Sequence, residues 1–193
     1  METFYSIQGE GYHTGKSAFF IRLSGCDIGC TWCDVKESWN VENSSLKTVD
    51  ELVSEAIWHK AQRVIITGGE PTMYNLTSLT HGLKAKGIQT HLETSGVYKI
   101  TGIWDWVCIS PKKFKAPMTS EMQKADELKI VVVNKSDYSW AQEHSQHVQP
   151  NCKLFLQPEW EKSSNVIEGI NEYVKDYPEW RISLQTHKYM NIR

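Results

Sequence analysis

Short apolar runs rich in β-forming residues recur along the chain at positions 18–23, 64–67, 88–93, 104–110, 128–133, 153–157 and 182–185. Several are nearly continuous in hydrophobicity, as expected of strands covered by helices on a face or enclosed in a barrel. Helical signals lie between them. Thr48 and Glu51 form a capping box ahead of Val49, Leu52, Val53, Ala56 and Ile57, which predicts a helix over 49–62. Leu76, Leu79 and Leu83 followed by Gly87 predict a second helix, and Val166, Ile170 and Val174 a later third. Strand-helix-strand alternation implies parallel pairing with right-handed crossovers. A full eight-unit barrel takes about 250 residues, and this chain has 193. The expected fold is therefore α/β: a partial, open and reduced parallel β/α barrel, with residues 1–193 as a single domain. The connection 112–127 is poor in helical periodicity and is expected to be an irregular loop.

The formal net charge of -2 and the pI near 6.4 give no broad cationic field to draw nucleic acid or anionic membrane, so a small-molecule substrate is expected. No apolar run approaches the roughly 20 residues of a membrane span, and no basic start and apolar stretch marks a signal peptide. A cytoplasmic location is expected. There the five cysteines would stay reduced, and a metal or redox role follows for those clustered at positions 26, 30 and 33.

Cys26, Cys30 and Cys33 follow directly on the first apolar run, in a loop where Gly25 and Gly29 permit unusual backbone angles. Three thiolates converging there leave the fourth iron of a [4Fe-4S] cluster open. A structural zinc site would normally need a fourth ligand, and neither His13 nor His59 completes a familiar spacing. Taken alone, the triplet admits a cluster, zinc, or reduced core thiols. Cys108 and Cys152 fall in or beside apolar runs and are expected in the core.

After the next strand come Thr67, Gly68, Gly69, Glu70 and Pro71. Together with the cysteine spacing, this segment closely resembles the radical S-adenosylmethionine (SAM) superfamily. The resemblance implies a [4Fe-4S] cluster on Cys26, Cys30 and Cys33, with SAM's amino-acid moiety against Gly68, Gly69 and Glu70. It also implies reductive cleavage of SAM to a 5′-deoxyadenosyl radical that takes a substrate hydrogen. The protein's part in such chemistry is to bind, orient and exclude.

The segment from Phe4 through Gln8, Gly9, Glu10 and Gly11, and Arg22 before the first cysteine, narrow the resemblance. So do Glu93 to Gly96, Ser110 to Lys112, Leu156 to Pro158 and Leu184 to Lys188. The chain resembles the 7-carboxy-7-deazaguanine synthase family, lyases that contract 6-carboxy-5,6,7,8-tetrahydropterin with loss of ammonia on the route to queuosine-type deazapurines. A carboxylated pterin needs a cation, for which Arg22 and His187 are suitable, and acceptors for its amino-pyrimidinone edge, for which Gln8 and Glu10 are suitable. The C-terminal carboxylate of Arg193 is expected to join Glu10 there. The resemblance places Glu93, Ser110 and Gln157 toward SAM. It also implies a homodimer and a flavodoxin-like or ferredoxin-like electron donor.

The family often carries Thr after the Cys-Asp pair as a ligand to Mg2+, whereas this chain has Val35 after Asp34. Valine offers no oxygen, and magnesium requires hard oxygen donors, so a bound ion would have to draw them from Asp34, Thr31 or water. Competing readings are a glycyl-radical activating enzyme, which needs an open face for a protein substrate, and a zinc-stabilised binding module.

Overall fold

The computed structural model describes residues 2–41 and 45–193. Its centre is an eight-stranded sheet in sequential order: β1 (Glu2–Ile7), β2 (Ser17–Leu23), β3 (Arg63–Gly68), β4 (Gln89–Thr94), β5 (Trp106–Ile109), β6 (Glu127–Val132), β7 (Lys153–Pro158) and β8 (Trp180–Ile182). β1 runs antiparallel to β2, and every later neighbour is parallel. β1 and β8 do not pair, so the curved sheet stays open, as the chain length predicts.

Helices cover the outer face. α1 (Val49–Trp58) carries the expected capping box, with Glu51 N donating to Thr48 Oγ1 and Thr48 N to Glu51 Oε2. It ends earlier than residue 62 because Lys60 turns left-handed (φ 51°) and Ala61 N donates back to Ala56 O. α2 (Thr77–Lys84) and α5 (Ser163–Asp176) match the leucine and valine patterns. α3 (Thr119–Met122) is a single turn of 4 residues within 112–127, and α6 (Thr186–Met190) has 5. The predicted strand over 182–185 is displaced: β8 comes earlier, and Gln185 stands at the N-cap position of α6 without a side-chain cap.

Strand alternation sorts the side chains. Phe19, Ile21, Val64, Ile66, Leu92, Val107, Ile109, Leu128, Ile130 and Leu156 face the helices and form the main apolar core. Cys152 joins that core, as expected. Cys108 is fully buried but sits on the opposite, inner face, with its Sγ 3.6 Å from Glu127 Oε1. The inner face is polar over much of its depth. At the N-terminal end of the strands, His13 packs against His91 and Trp106, with ring centroids 4.6 Å apart in both cases, and Tyr12 stacks on Trp106 at 4.9 Å.

The gap between β1 and β8 is bridged by loops. Thr186 N and Oγ1 both donate to Gly9 O, at 2.9 and 3.0 Å, and Gly11 N donates to Ser183 Oγ at 2.9 Å. A side chain at Gly9 would place its Cβ 2.2 Å from His187 Nδ1, so only glycine allows this approach.

Candidate active site

A cavity of about 460 Å³ opens at the C-terminal ends of the parallel strands, the usual ligand position in α/β folds. Its wall begins with the loop after β2. Cys26, Cys30 and Cys33 line it as free thiols, packed with Ile28 and Val97. Burial pushes up the Cys26 thiol, and it raises Cys30 to about 11 against the pull of Lys112, so a metal bound there must displace protons.

The end of β3 abuts this loop. Gly69 N donates to Leu23 O and Glu70 N to Gly25 O, both at 2.8 Å. Gly68 has φ 128°, and a Cβ there would meet Leu23 O at 2.1 Å. Glu70 borders the cavity, but its carboxylate turns inward. Oε1 accepts from Thr72 N, Thr72 Oγ1 and Thr94 Oγ1, and Oε2 from Ser95 N and Ser95 Oγ. Its side chain therefore ties β3 to β4.

Opposite the cysteines runs a chain of alternating donors and acceptors. Gln8 Nε2 donates to Glu93 Oε1 (3.1 Å), and Lys129 Nζ bridges Glu93 Oε2 (3.0 Å) and Glu10 Oε2 (2.7 Å). Gln185 Nε2 then links Glu10 Oε1 (2.9 Å) to Asp34 Oδ2 (2.8 Å), which also accepts from Lys188 Nζ (2.6 Å). Burial alone would raise Glu10, but Lys129 and Gln185 outweigh it and bring the carboxyl down to about 2. Burial alone would lower Lys129, yet the Cys108, Glu10, Glu93 and Glu127 groups around it hold its ammonium well above the usual lysine range. Beneath this layer, burial and the Glu93 carboxylate raise Glu127 to about 7, against Lys129 and the N–H groups of Tyr12 and Trp106.

The matching family model is that of the radical SAM superfamily, over residues 20–105. The 7-carboxy-7-deazaguanine synthase of Flavobacterium psychrophilum is 51% identical over 192 residues, covering 100% of this chain and 91% of that protein. The chain belongs to the 7-carboxy-7-deazaguanine synthase family. The Synechocystis enzyme of the same name is 46% identical over 100% of this chain and 92% of its own. The crystal structure of QueE from Escherichia coli superposes with a TM-score of 0.83 at 28% identity, covering 95% of this chain and 91% of that one.

Within this synthase-family chain, all the residues singled out from the sequence border one cavity: Gln8, Glu10, Arg22, the three cysteines, Gly68, Gly69, Glu70, Glu93, Ser110, Gln157, His187 and Arg193. Several are already partnered. Ser110 Oγ accepts from Lys112 Nζ (2.6 Å), and Gln157 Oε1 from Ser183 Oγ (2.7 Å). Arg22 and Arg193 share Glu2, at 2.5 and 2.8 Å, and both guanidinium groups lie over Phe4. The main-chain oxygen of Arg193 accepts from Ser6 Oγ (2.6 Å), whereas Glu10 is held by Lys129 and Gln185. Burial lowers His187, against the pull of Glu10, and favours its neutral imidazole over the cation.

Among the described residues, no three Cys, His, Asp or Glu side chains come close enough to grip a single ion. The three thiols do not close on one point; a cubane needs no such convergence, because each sulfur binds a different iron. The all-thiolate donor set and the open fourth position fit a [4Fe-4S] cluster. A magnesium ion is not accommodated in the same way. Val35 lines the cavity without an oxygen, and Asp34 Oδ2 is bound by Gln185 and Lys188.

Gln185 and Lys188 belong to the segment 184–188 that the sequence marks, whereas Lys129 lies in an apolar run, outside every segment marked for the site. The signal for Lys129 was present, since Glu127 and Lys129 fall two apart within an apolar strand and so share its inner face.

Proposed function

We infer that this chain converts 6-carboxy-5,6,7,8-tetrahydropterin to 7-carboxy-7-deazaguanine with release of ammonia, on the route to queuosine-type deazapurines. One observation carries the reading: the cysteine loop, the Gly68 turn and the Glu93, Lys129 and Glu10 chain line a single cavity. When bound, the cluster and SAM supply the one-electron chemistry that generates a hydrogen-abstracting radical.

The chain's own residues bind and orient. The Gly68 and Gly69 main chain abuts the cysteine loop, a Cβ at Gly69 falling 3.1 Å from that of Cys26, and is the natural seat for SAM's amino-acid moiety, with Glu70 fixing the turn from behind. Glu93, Ser110 and Gln157 continue that wall. Glu10, kept ionised, and Gln8 offer acceptors to the amino-pyrimidinone edge. Arg22 takes the substrate carboxylate, which joins or displaces Glu2 between Arg22 and Arg193, and neutral His187 adds a directional hydrogen bond. Because Gln8 bonds directly to Glu93, the two halves of the site are continuous. No step is assigned to magnesium.

The same reading includes a cytoplasmic homodimer served by a flavodoxin-like or ferredoxin-like electron donor. No helix among the described residues is long and apolar enough to cross a membrane. The deciding experiment is anaerobic incubation of reconstituted protein with the carboxytetrahydropterin, SAM and reductant, followed by mass spectrometry. Formation of the deazapurine is expected; SAM cleavage without it would overturn the substrate assignment.

A further inference from the structure

We propose that Trp39 is a positioning residue for the iron-sulfur centre, its indole N–H donating to Sγ of Cys33 and so raising the reduction potential of the cluster that Cys33 helps to hold. The inference rests on the cluster reading above and extends it to a residue beyond the cysteine motif.

Trp39 ends a one-turn 3-10 helix, Lys36–Trp39, and its Nε1 lies 3.3 Å from Cys33 Sγ. The turn is fixed at both ends. Ser38 N and Oγ donate to Val35 O at 3.0 and 2.7 Å, and Gly25 N, one residue before Cys26, donates to Ser38 O at 2.7 Å. The indole is thus referenced to the first and last cysteines of the motif.

An indole has one donor and no acceptor, so its N–H needs a partner in this half-buried wall, and a ligating thiolate provides a charged one. Reduction adds negative charge that spreads onto the ligand sulfurs. A donor aimed at one sulfur is therefore bound more strongly in the reduced state than in the oxidised one. The bond favours reduction, one of the ways by which protein surroundings tune such clusters.

The test uses the whole chain, reconstituted anaerobically, with the cluster potential measured by EPR-monitored titration. Trp39→Phe keeps the ring and removes the donor. Iron and sulfide at wild-type content are expected, with reduction made several-fold to tenfold less favourable, which is a fall of at most about 59 mV for a one-electron couple. An unchanged potential with an intact cluster would overturn the proposal while leaving product formation, and hence the proposed function, untouched. If the variant retains no iron, the wild type decides. Pulsed EPR of the reduced enzyme, carrying tryptophan labelled with 15N in the indole, is expected to show coupling to that nitrogen, and its absence sinks the bond. Wild-type protein that binds no iron overturns the cluster reading and this inference together.

Discussion

Oε2 of Glu10 lies 2.7 Å from the ammonium of Lys129, across 119 positions of sequence, and joins the loop after β1 to strand β6. Lys129 serves two carboxylates at once, so its removal leaves Glu10 and Glu93 without their cation. Breaking a buried charge pair from one side typically costs about 3–5 kcal/mol. Lys129→Met is expected to lose stability of that order in urea titrations, and to lose product formation even where it remains folded. A melting curve indistinguishable from wild type would show that the carboxylates find other partners.

The pH dependence of stability follows from groups beneath the cavity. Burial, with Lys16 and Arg63 nearby, lowers His13 to about 4; burial, with His13 and Arg63, lowers His91 to about 3. Below pH 6.5 the unfolded chain takes up protons that these folded imidazoles refuse, so stability present above that pH is lost as the pH falls. Glu127, raised to about 7, acts in the opposite sense. Its folded form holds a proton between pH 7 and 4.5 that the unfolded chain has released, which stabilises the fold at low pH and is lost on raising it. Two imidazoles outweigh one carboxyl. The urea midpoint is expected to fall from pH 6.5 to 4.5 and more steeply below, where Glu10 also protonates in the unfolded state. Glu127→Gln should steepen the first part, and a midpoint that stays level down to pH 4.5 contradicts the assignment.

Alanine at Cys26, Cys30 or Cys33 is expected to abolish iron loading in a catalytically useful form. Cys108→Ala and Cys152→Ala should retain iron, sulfide and SAM cleavage, since one thiol lies in the helix-side core and the other faces Glu127. Iron content and 5′-deoxyadenosine formation in all five variants decide the matter. A Cys30 variant that still cleaves SAM would be incompatible with three-thiolate ligation.

Magnesium added to chelator-treated enzyme is expected to change turnover by less than about twofold, because Val35 supplies no oxygen and Asp34 is held by Lys188 and Gln185. Val35→Thr should introduce a measurable dependence. Strong stimulation of the natural enzyme would mean that other oxygens gather round the ion.

Much of this organisation is legible in the sequence, for identifiable reasons. Strands β3, β5 and β6 announce themselves because their helix-facing residues are uninterrupted aliphatics, and α1 because Thr48 and Glu51 cap it. β1 escapes the pattern, since it lies at the sheet edge with none of its residues fully buried. α4 (Ser136–Ser145) escapes it because only Asp137, Ala141 and His144 are buried, which leaves no apolar stripe to detect. The cavity wall from Cys26 to Glu70 was visible as motifs of adjacent residues. The Glu10, Gln185 and Asp34 link was not, because it joins three distant loops and is created only by curvature of the sheet.

The bond between Gly9 and Thr186 closes a loop of 177 positions. Chains dominated by such distant contacts fold slowly, since loop-closure entropy must be met before the contact stabilises anything. During synthesis the cysteine loop and the Gly68 turn leave the ribosome before Glu93, Lys129 and Gln185 of the opposite wall exist, and Glu10 and Asp34 wait without Gln185. Assembly of the cavity is thus a terminal event, and residues 183–188 act as a clasp. A protease cutting ahead of Ser183 would leave not a smaller enzyme but an unlatched one, its cysteines intact and its chamber open to solvent.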